Sequence, residues 1–486
     1  MLRRLASQTA TYGLTSILGR LIGNLLLPLQ TGRLSLHDFS VLQEVLAYSA
    51  VLSVVFPLGL ETALFKFSND RLDQKQNIED KIITLQMLVA VLFMPISWFW
   101  LQSRLPGVAH TDIWLICATL GIDSITSIFL SRIRNKGEST RFLVVKLGSI
   151  ACIILFNLLF LSKIPFFDSI NPIGVNYRLI VYINFVAAAF VVMLMPKSLA
   201  QFRWIIDHQL FRVVLRFSLP ILLMSIIGVS NDIFGRIWLE SLTPAGFYPS
   251  ISNKDLIGIY SGCAKIAIFI NLGIQAYRYA ADPFFFSIQD KKDTATYLAQ
   301  SFTWFAAAGL FAFVAIVANI DLIVSVFLRK PEFRMGINAI YFLLLANFFF
   351  GVYYNLSFWY KFSDRTYWGS MISIIGLATN AILNIILVPV LGMTGSAVAL
   401  LFCYLLMCGI SYSKGKQHFP VEWDYNKFAA LLGFALLLSA MSYGWQTEQL
   451  MIQILKGFLL PISFLALVIW LQKALIFKRF RIADPS

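Results

Sequence analysis

Charged residues are scarce in this sequence. Asp, Glu, Lys and Arg make up 13% of its 486 residues, whereas 58% are hydrophobic. A soluble protein has a surface to solvate and carries about a quarter charged residues, so a water-exposed globular fold is excluded. The apolar runs, mostly about 20 residues long, fit helices that cross a bilayer core of about 30 Å. The shorter alternating strands of a membrane barrel do not fit them.

Metal-binding and catalytic patterns are also missing. The five cysteines form no CxxC pair and the four histidines show no HExxH spacing, so neither a metal site nor a cofactor is expected. The cysteines fall inside apolar runs, which predicts small buried side chains. No G-x-x-x-x-G-K-[ST] nucleotide-binding pattern occurs and no acidic D-x-D-type sugar-nucleotide site, so the sequence does not indicate an enzyme.

Hydrophobic runs separated by polar or Pro/Gly-marked breaks predict fourteen membrane spans. Their approximate limits are 6–29, 38–65, 82–102, 112–131, 142–162, 176–195, 213–240, 255–280, 297–319, 336–359, 367–390, 394–412, 428–445 and 450–472, with clear polar breaks at 68–81 and 131–141. Lys and Arg concentrate on the side of the N-terminus, so the positive-inside rule puts both termini in the cytoplasm. The net charge of +14 then comes largely from Lys and Arg at the cytoplasmic surface, next to anionic headgroups, and requires no nucleic-acid partner.

Two sequence stretches recur at nearly the same offset. "ILGRLIGNLLLP" (17–28) aligns with "IFGRIWLESLTP" (233–244), and "FPLGLETALFKF" (56–67) aligns with "INLGIQAYRYAA" (270–281). This offset spans six helices, so both copies begin on the same side of the membrane. We therefore predict an all-α integral membrane protein with two six-helix lobes, 1–212 and 213–427, related by a parallel pseudo-twofold repeat. Residues 428–486 add two helices and a basic cytoplasmic tail.

Basic side chains inside the predicted spans are costly, from about +2.5 to more than +10 kcal/mol each, and therefore indicate a wet cavity, a partner or a ligand. Helical spacing puts Arg20 and Asn24 on one polar stripe of the first span. Arg236 occupies the equivalent place in the repeat, and Lys265 lies near the middle of the next span. Guanidinium groups bind phosphate oxygens through two hydrogen bonds, so we expect an anionic, phosphate-bearing ligand.

Structural roles stay open for several of these charges. Arg236 has Asp232 and Glu240 at i−4 and i+4, where helix neighbours form ion pairs, so it is either a ligand-binding cation or the partner of these acids. Glu61 is either functional or paired with a cation near the cytoplasmic rim. Lys456 is expected to reach the lipid–water boundary by snorkelling.

One stretch of the second half carries a recognisable pattern. "GLATNAILNIILVPVLGMTGSAVALLFCYLL" (376–406) resembles the N-x-x-x-N-x-x-x-x-P-x-x-G-x-x-G-[AS]-A signature of polysaccharide and O-antigen (Wzx-type) flippases. The matching residues are Asn380, Asn384, Pro389, Gly392, Gly395, Ser396 and Ala397. "TGRLSLHDFSVLQ" (31–43) resembles the first external loop of that group. With the span count and the repeat, the resemblance covers essentially the whole chain and extends to the multidrug/oligosaccharidyl-lipid/polysaccharide (MOP) exporter superfamily.

This resemblance implies a flippase of the bacterial cytoplasmic (inner) membrane. Its cargo would be a polyprenyl-diphosphate-linked oligosaccharide, a polysaccharide or O-antigen repeat unit, moved by alternating access. Polysaccharide assembly proteins and membrane lipids would be its partners. The resemblance implies that Arg20 and Arg236 line the central cavity, and Lys265 less directly.

The resemblance also implies an external source of free energy. Because no nucleotide-binding pattern is present, transport must draw on an ion gradient, the membrane potential or consumption of the cargo. Glu61, Asp123 and Asp232 are the candidates for coupling H⁺ or Na⁺, since an intramembrane carboxylate changes its protonation with burial.

Three other functions compete with this one. A flippase for the peptidoglycan lipid precursor would share the fold and an arginine-lined cavity. A multidrug antiporter for organic cations would require a cavity rich in acids and poor in bases, against which Arg20 and Lys265 argue. The third is a membrane scaffold or polymerising glycosyltransferase. A transferase would be expected to carry a D-x-D-type site or a large external catalytic loop, and the longest predicted external segment is only about a dozen residues.

Overall fold

The computed structural model of the chain describes residues 23–70, 75–162, 174–288, 293–363, 365–445 and 449–482, with Gly19 and Leu21. These residues form helices and no β-strand. Within these described ranges, eleven helices are long and apolar enough to cross a membrane, and a shorter apolar helix covers Tyr177–Met193. Many large apolar side chains of these helices are exposed, among them Ile386 and Phe458. The chain is therefore an all-α, multi-pass membrane protein.

The chain forms two compact units, Met1–Ser261 and Gly262–Ser486. The first contains the helices α1 (Leu27–Arg33), α2 (Leu36–Val55), α3 (Leu60–Asp70), α4 (Lys75–Arg104), α5 (His110–Asn135), α6 (Ser139–Leu161), α7 (Tyr177–Met193), α8 (Pro196–Ala200), α9 (His208–Leu242) and the beginning of α10 (Asn253–Ser287). Its core includes the fully buried side chains Ile82 and Phe129, which belong to a cluster joining α3, α4, α5 and the start of α9.

The second unit contains the remainder of α10 and the helices that follow it. These are α11 (Thr294–Ala318), α12 (Ile320–Phe327), a 3-10 turn (Pro331–Gly336), α13 (Ile337–Leu356), α14 (Phe358–Phe362), α15 (Tyr367–His418), α16 (Tyr425–Gly444) and α17 (Leu450–Ile482). A small core cluster packs Phe285 of α10 against Phe358 of α14, with ring centroids 5.0 Å apart.

Each predicted span after the first overlaps one of these helices, and the span predicted over 6–29 lies mostly outside the described residues. The five cysteines are buried, as predicted. The breaks at 68–81 and 131–141 are shorter than predicted, because α4 already begins at Lys75 and α5 continues to Asn135. The lobe boundary at 212/213, the fourteen-span count and the pseudo-twofold relation stay predictions.

The signature stretch forms a sharp kink inside α15. Gly392 has a φ of 56°, a left-handed conformation that favours glycine, and it separates two helical segments. A Cβ at Gly395 would lie only 3.0 Å from the backbone nitrogen of Val388. Asn384 donates to the carbonyl of Asn380 at 2.8 Å one turn earlier. The glycines of the signature thus allow the chain to turn back tightly within one long apolar stretch.

Candidate functional site

The first unit contains a cavity of about 480 Å³ between α2, α5, α6 and α7. Its lining mixes apolar side chains with polar ones. Two carboxylates, one ammonium and one amide reach it, from Glu61, Asp123, Lys146 and Asn184. Hydroxyl groups complete the polar lining: Ser49, Ser53, Thr119, Ser124, Thr126, Ser127 and Ser149.

A break in the helical backbone places Glu61 in this cavity. Leu58 and Gly59 both have positive φ, 54° and 71°, so the helix of α2 ends there and α3 begins at Leu60. The carbonyl of Phe56, at the end of α2, accepts a 2.9 Å hydrogen bond from the buried amide of Gln86. Glu61 consequently lies in the first turn of a new helix, where the helix dipole favours a carboxylate.

The hydroxyl groups of the cavity have largely used their hydrogens elsewhere. Five of them donate to a main-chain carbonyl of their own helix three or four residues earlier, at 2.7–3.0 Å: Ser53, Thr119, Ser124, Thr126 and Ser127. Each oxygen keeps lone pairs with which to accept a hydrogen bond. Together with the carboxylates, the lining therefore offers mainly acceptors, which suit a proton, a cation or another donor.

Three titratable side chains meet in the cavity. Glu61 accepts a 3.1 Å hydrogen bond from the hydroxyl of Ser131. Asp123 is exposed to the cavity, and the charge of Lys146 on α6 acts on it. No ion pair within 4 Å joins Lys146 to either carboxylate in the described part of the chain, although all three side chains line the same cavity. Sequence analysis missed Lys146, a single lysine in an apolar run with no acid one turn away.

The external ends of α2 and α10, as the sequence orients them, are held together by polar contacts. His37 Nδ1 lies 3.3 Å from Asp255 Oδ1, and the hydroxyl of Ser40 donates to the carbonyl of Asp255 at 3.1 Å. Lys254 Nζ lies 3.4 Å from Glu44 Oε2, whose side chain is buried. These contacts close one end of the first unit.

A buried ionic network lies at the opposite, predicted cytoplasmic end. The guanidinium of Arg132 contacts Glu79 at 3.1 Å and Asp80 at 2.8 Å, and all three side chains are buried. Asn135 donates to Glu79 and to Ser68, each at 2.9 Å. The network ties α3, α4 and α5 to one another. Sequence analysis missed it, because these charges fall in stretches that have the composition of loops.

The predicted anion-binding residues are described only in part. Arg20 lies outside the described residues, and so does the side chain of Asp232, although Asp232 itself belongs to α9. Asn24 is buried, and Lys265 is half-buried on α10. Arg236 is half-buried on α9, and its Nε has no hydrogen-bond partner among the described residues. No ion pair within 4 Å joins it to Glu240 in that part of the chain.

Lys456 does not behave as predicted. Its side chain is 2% exposed, with Nζ 3.8 Å from Asp321 Oδ2 and 3.3 Å from the carbonyl of Trp445. The snorkelling prediction is wrong, because this lysine turns into the second unit and pairs with the short helix α12. Asn319 also donates to the carbonyl of Gly457 at 3.1 Å, so the same segment of α17 is held twice.

No protein-family model matches the chain, and no curated protein sequence matches it. Solved structures do match. The lipid II flippase MurJ in an inward closed conformation gives a TM-score of 0.72 at 15% identity, over 94% of this chain and 98% of that chain. An inward-facing multidrug resistance MATE family transporter of the MOP superfamily gives 0.63 at 10% identity, over 82% and 94%.

The chain has the MOP-superfamily fold. A further MOP-fold neighbour, the Vibrio cholerae MATE transporter VcmN, gives a TM-score of 0.59 at 11% identity, over 85% of this chain and 96% of that chain. These neighbours are a lipid II flippase and two MATE transporters. The MOP fold is thus common to proteins of different cargo, and the cargo of this chain has to be argued from its side chains.

Proposed function

We propose that the chain is a flippase that moves a polyprenyl-diphosphate-linked oligosaccharide across the bacterial cytoplasmic membrane by alternating access. The observation that carries this proposal is the Nε of Arg236, buried on a membrane helix with no hydrogen-bond partner among the described residues. A buried N–H left without an acceptor in a low-dielectric interior is costly. A diphosphate supplies the paired oxygens that its fork fits.

The sequence repeat supports the same ligand. It gives Arg20 and Arg236 equivalent positions in the two copies, so a second guanidinium is available to the diphosphate. Lys265 adds a third cation one predicted span further along the chain, and Asn24 lies one turn from Arg20. Basic side chains inside predicted spans favour an anionic lipid head over an organic cation.

The contacts at the external ends of α2 and α10 support alternating access. Ser40, Glu44 and Lys254 hold these ends together through one hydrogen bond and one ion pair. Contacts of this size can be exchanged for water without a large loss of free energy. We infer that the external end opens by parting them, and that the cavity carboxylates Glu61 and Asp123, with Asp232, couple this motion to H⁺ or Na⁺.

The test is export of a fluorescent polyprenyl-diphosphate oligosaccharide in proteoliposomes. Arg236→Gln and Arg20→Glu are expected to lose at least 90% of the flipping rate, and Arg236→Lys to keep part of it, because the charge survives without the two-pronged hydrogen bonding. Arg216→Gln is the matched control, since Arg216 is exposed on the same helix α9. Normal flipping by Arg236→Gln and Arg20→Glu at normal expression would refute the proposal.

The peptidoglycan lipid precursor is the second candidate cargo. The likeness to a lipid II flippase over 94% of the chain supports it, and both cargoes share the polyprenyl diphosphate. Depletion of the protein in its own cells separates the two: lysis with precursor accumulation indicates the peptidoglycan precursor, and loss of surface glycan in viable cells indicates a polysaccharide unit. If deletion of the protein changes the susceptibility of the cells to a panel of drugs, the result would indicate a multidrug antiporter instead.

A further inference from the structure

The cavity of the first unit combines acceptors with a tethered cation. Its hydroxyls donate to their own helices, so their lone pairs and the carboxylates of Glu61 and Asp123 face the interior. A lining of this kind attracts Na⁺, which takes oxygen ligands. Lys146 reaches the same cavity, and its charge acts on Asp123. Among the described lining residues these three are the titratable ones.

The ammonium of Lys146 competes with any free cation for these oxygens. One ammonium group within about 480 Å³ has an effective concentration on the order of 3 M. Physiological salt supplies about 0.15 M of cation, which is roughly twentyfold less. The two carboxylates and the ammonium leave the cavity one negative charge, which a single proton on a carboxylate neutralises without displacing the ammonium from its oxygens.

We propose that this cavity is a proton-exchange site in which Lys146 takes the place of a bound metal cation, so that the chain is coupled to H⁺ and not to Na⁺. A proton from water adds to a carboxylate oxygen of Asp123 and makes a neutral acid. The ammonium, which keeps its own protons, then pairs with Glu61. When the cavity faces the other side, Asp123 returns its proton to water and the ammonium moves back.

This inference rests on the proposed function only for its link to transport. The binding step concerns side chains of the first unit alone and is independent of the cargo. It predicts that a substitution which removes the charge at Lys146 but keeps the size of the side chain uncovers a Na⁺ site. The ligands of that site would be Glu61, Asp123 and the hydroxyl oxygens. Lys146→Met is such a substitution, because Met keeps the length of the side chain and carries no charge.

The test is thermal unfolding of the purified full chain, titrated with NaCl against choline chloride at constant ionic strength and pH. The wild type and Lys146→Arg are expected to respond equally to both salts. Lys146→Met is expected to gain a Na⁺-specific rise in Tm, with an apparent affinity for Na⁺ at least tenfold above that of the wild type. Adding Asp123→Asn to Lys146→Met should abolish the rise. Lys66→Met, at an exposed lysine of α3 outside the cavity lining, is the matched control and should behave as the wild type does.

A wild type that Na⁺ stabilises as strongly as it stabilises Lys146→Met would overturn the proposal, and so would a Lys146→Met protein with no Na⁺ response. If Lys146→Met is not recovered folded, Lys146→Gln is used, with the same two outcomes. In proteoliposomes, flipping driven by a pH gradient and indifferent to a Na⁺ gradient supports the coupling, and dependence on Na⁺ refutes it. Absence of glycan flipping would refute the proposed function while the unfolding result stands.

Discussion

Gly258 of α10 lies so close to Ser40 of α2 that a Cβ added at Gly258 would be 3.0 Å from the Cα of Ser40. Real Cβ atoms essentially never come closer to a backbone atom, so glycine is what allows the two helices to touch. The hydroxyl of Ser40 uses the contact to reach the carbonyl of Asp255. The closure at this end of the first unit is therefore set by backbone proximity as much as by charge.

Substitution of Gly258 by alanine is expected to push α2 and α10 apart. Overpacking of this kind costs about 1–3 kcal/mol, and the loss should fall on the closed state, since it is the state that contains the contact. We expect a lower Tm in detergent and increased labelling of a cysteine introduced at Ser40. Gly273→Ala is the control, because a Cβ at Gly273 on the same helix meets nothing within 4 Å. Equal effects of the two substitutions would contradict this account.

Reversing the charge of Lys254 should destabilise the same contact. Lys254→Glu would face the buried carboxylate of Glu44, and the charge of Glu240 also acts on that group. The double variant Glu44→Lys with Lys254→Glu should recover much of the loss, giving a coupling of about 1 kcal/mol or more in a double-mutant cycle of unfolding. Losses that add without coupling would mean that the 3.4 Å pair contributes nothing to the fold.

Asp207, just before α9, links stability to pH. The N–H of Leu210 and then the ammonium of Lys81 donate to its carboxylate and lower the pKa of Asp207 below its ordinary value. A lowered pKa contributes stability that is fully present above about pH 4, the ordinary pKa of Asp, and is lost as the pH falls through the native value.

The measurement is the difference in Tm between the wild type and Asp207→Ala from pH 7 to pH 3. Loss of the helix cap should cost about 1 kcal/mol at neutral pH, and the difference should shrink below about pH 4. Other acidic groups titrate in both proteins, so they cancel in the comparison. A difference that grows as the pH falls would have the wrong sign for this explanation.

Lys456 and Asp321 should respond unequally to removal. The side chain of Lys456 is 2% exposed and that of Asp321 is 35% exposed, so Asp321 can turn to water when its partner is lost and Lys456 cannot. Asp321→Asn is therefore expected to cost about 3 kcal/mol of unfolding free energy, and Lys456→Met clearly less. The check is chemical or thermal unfolding of both variants; a greater loss for Lys456→Met would contradict the burial argument.

The helices and the break between the spans 367–390 and 394–412 could be predicted from the sequence, because each depends on local composition. An apolar run long enough to span a bilayer forms a helix in any arrangement of its neighbours, and Gly392 supplies the left-handed turn wherever the pair of helices lies. The buried side chain of Lys456 could not be predicted in this way. Its partner Asp321 comes from a distant part of the chain. The nearness of Lys456 to the end of its span predicted snorkelling instead of burial.

The cavity, too, could be predicted from the sequence only in part. Glu61 and Asp123 were found from the sequence because a carboxylate inside an apolar run is unusual in itself. Their common cavity and the approach of Lys146 depend on how α3, α5 and α6 pack, which no spacing along the chain reveals. The break at Leu58 and Gly59, which gives Glu61 the first turn of a helix, is likewise a matter of backbone conformation.

The network of Arg132, Glu79 and Asp80 has a consequence for biosynthesis. Helices α4 and α5 are consecutive in the chain and are joined by a short connection, so they leave the ribosome one after the other. Alone, α4 would bring two unneutralised acids to the edge of the lipid, and α5 would bring an unneutralised guanidinium. The two helices are thus best released into the bilayer as a preassembled hairpin, and the insertion machinery has to retain the earlier helix until the later one arrives.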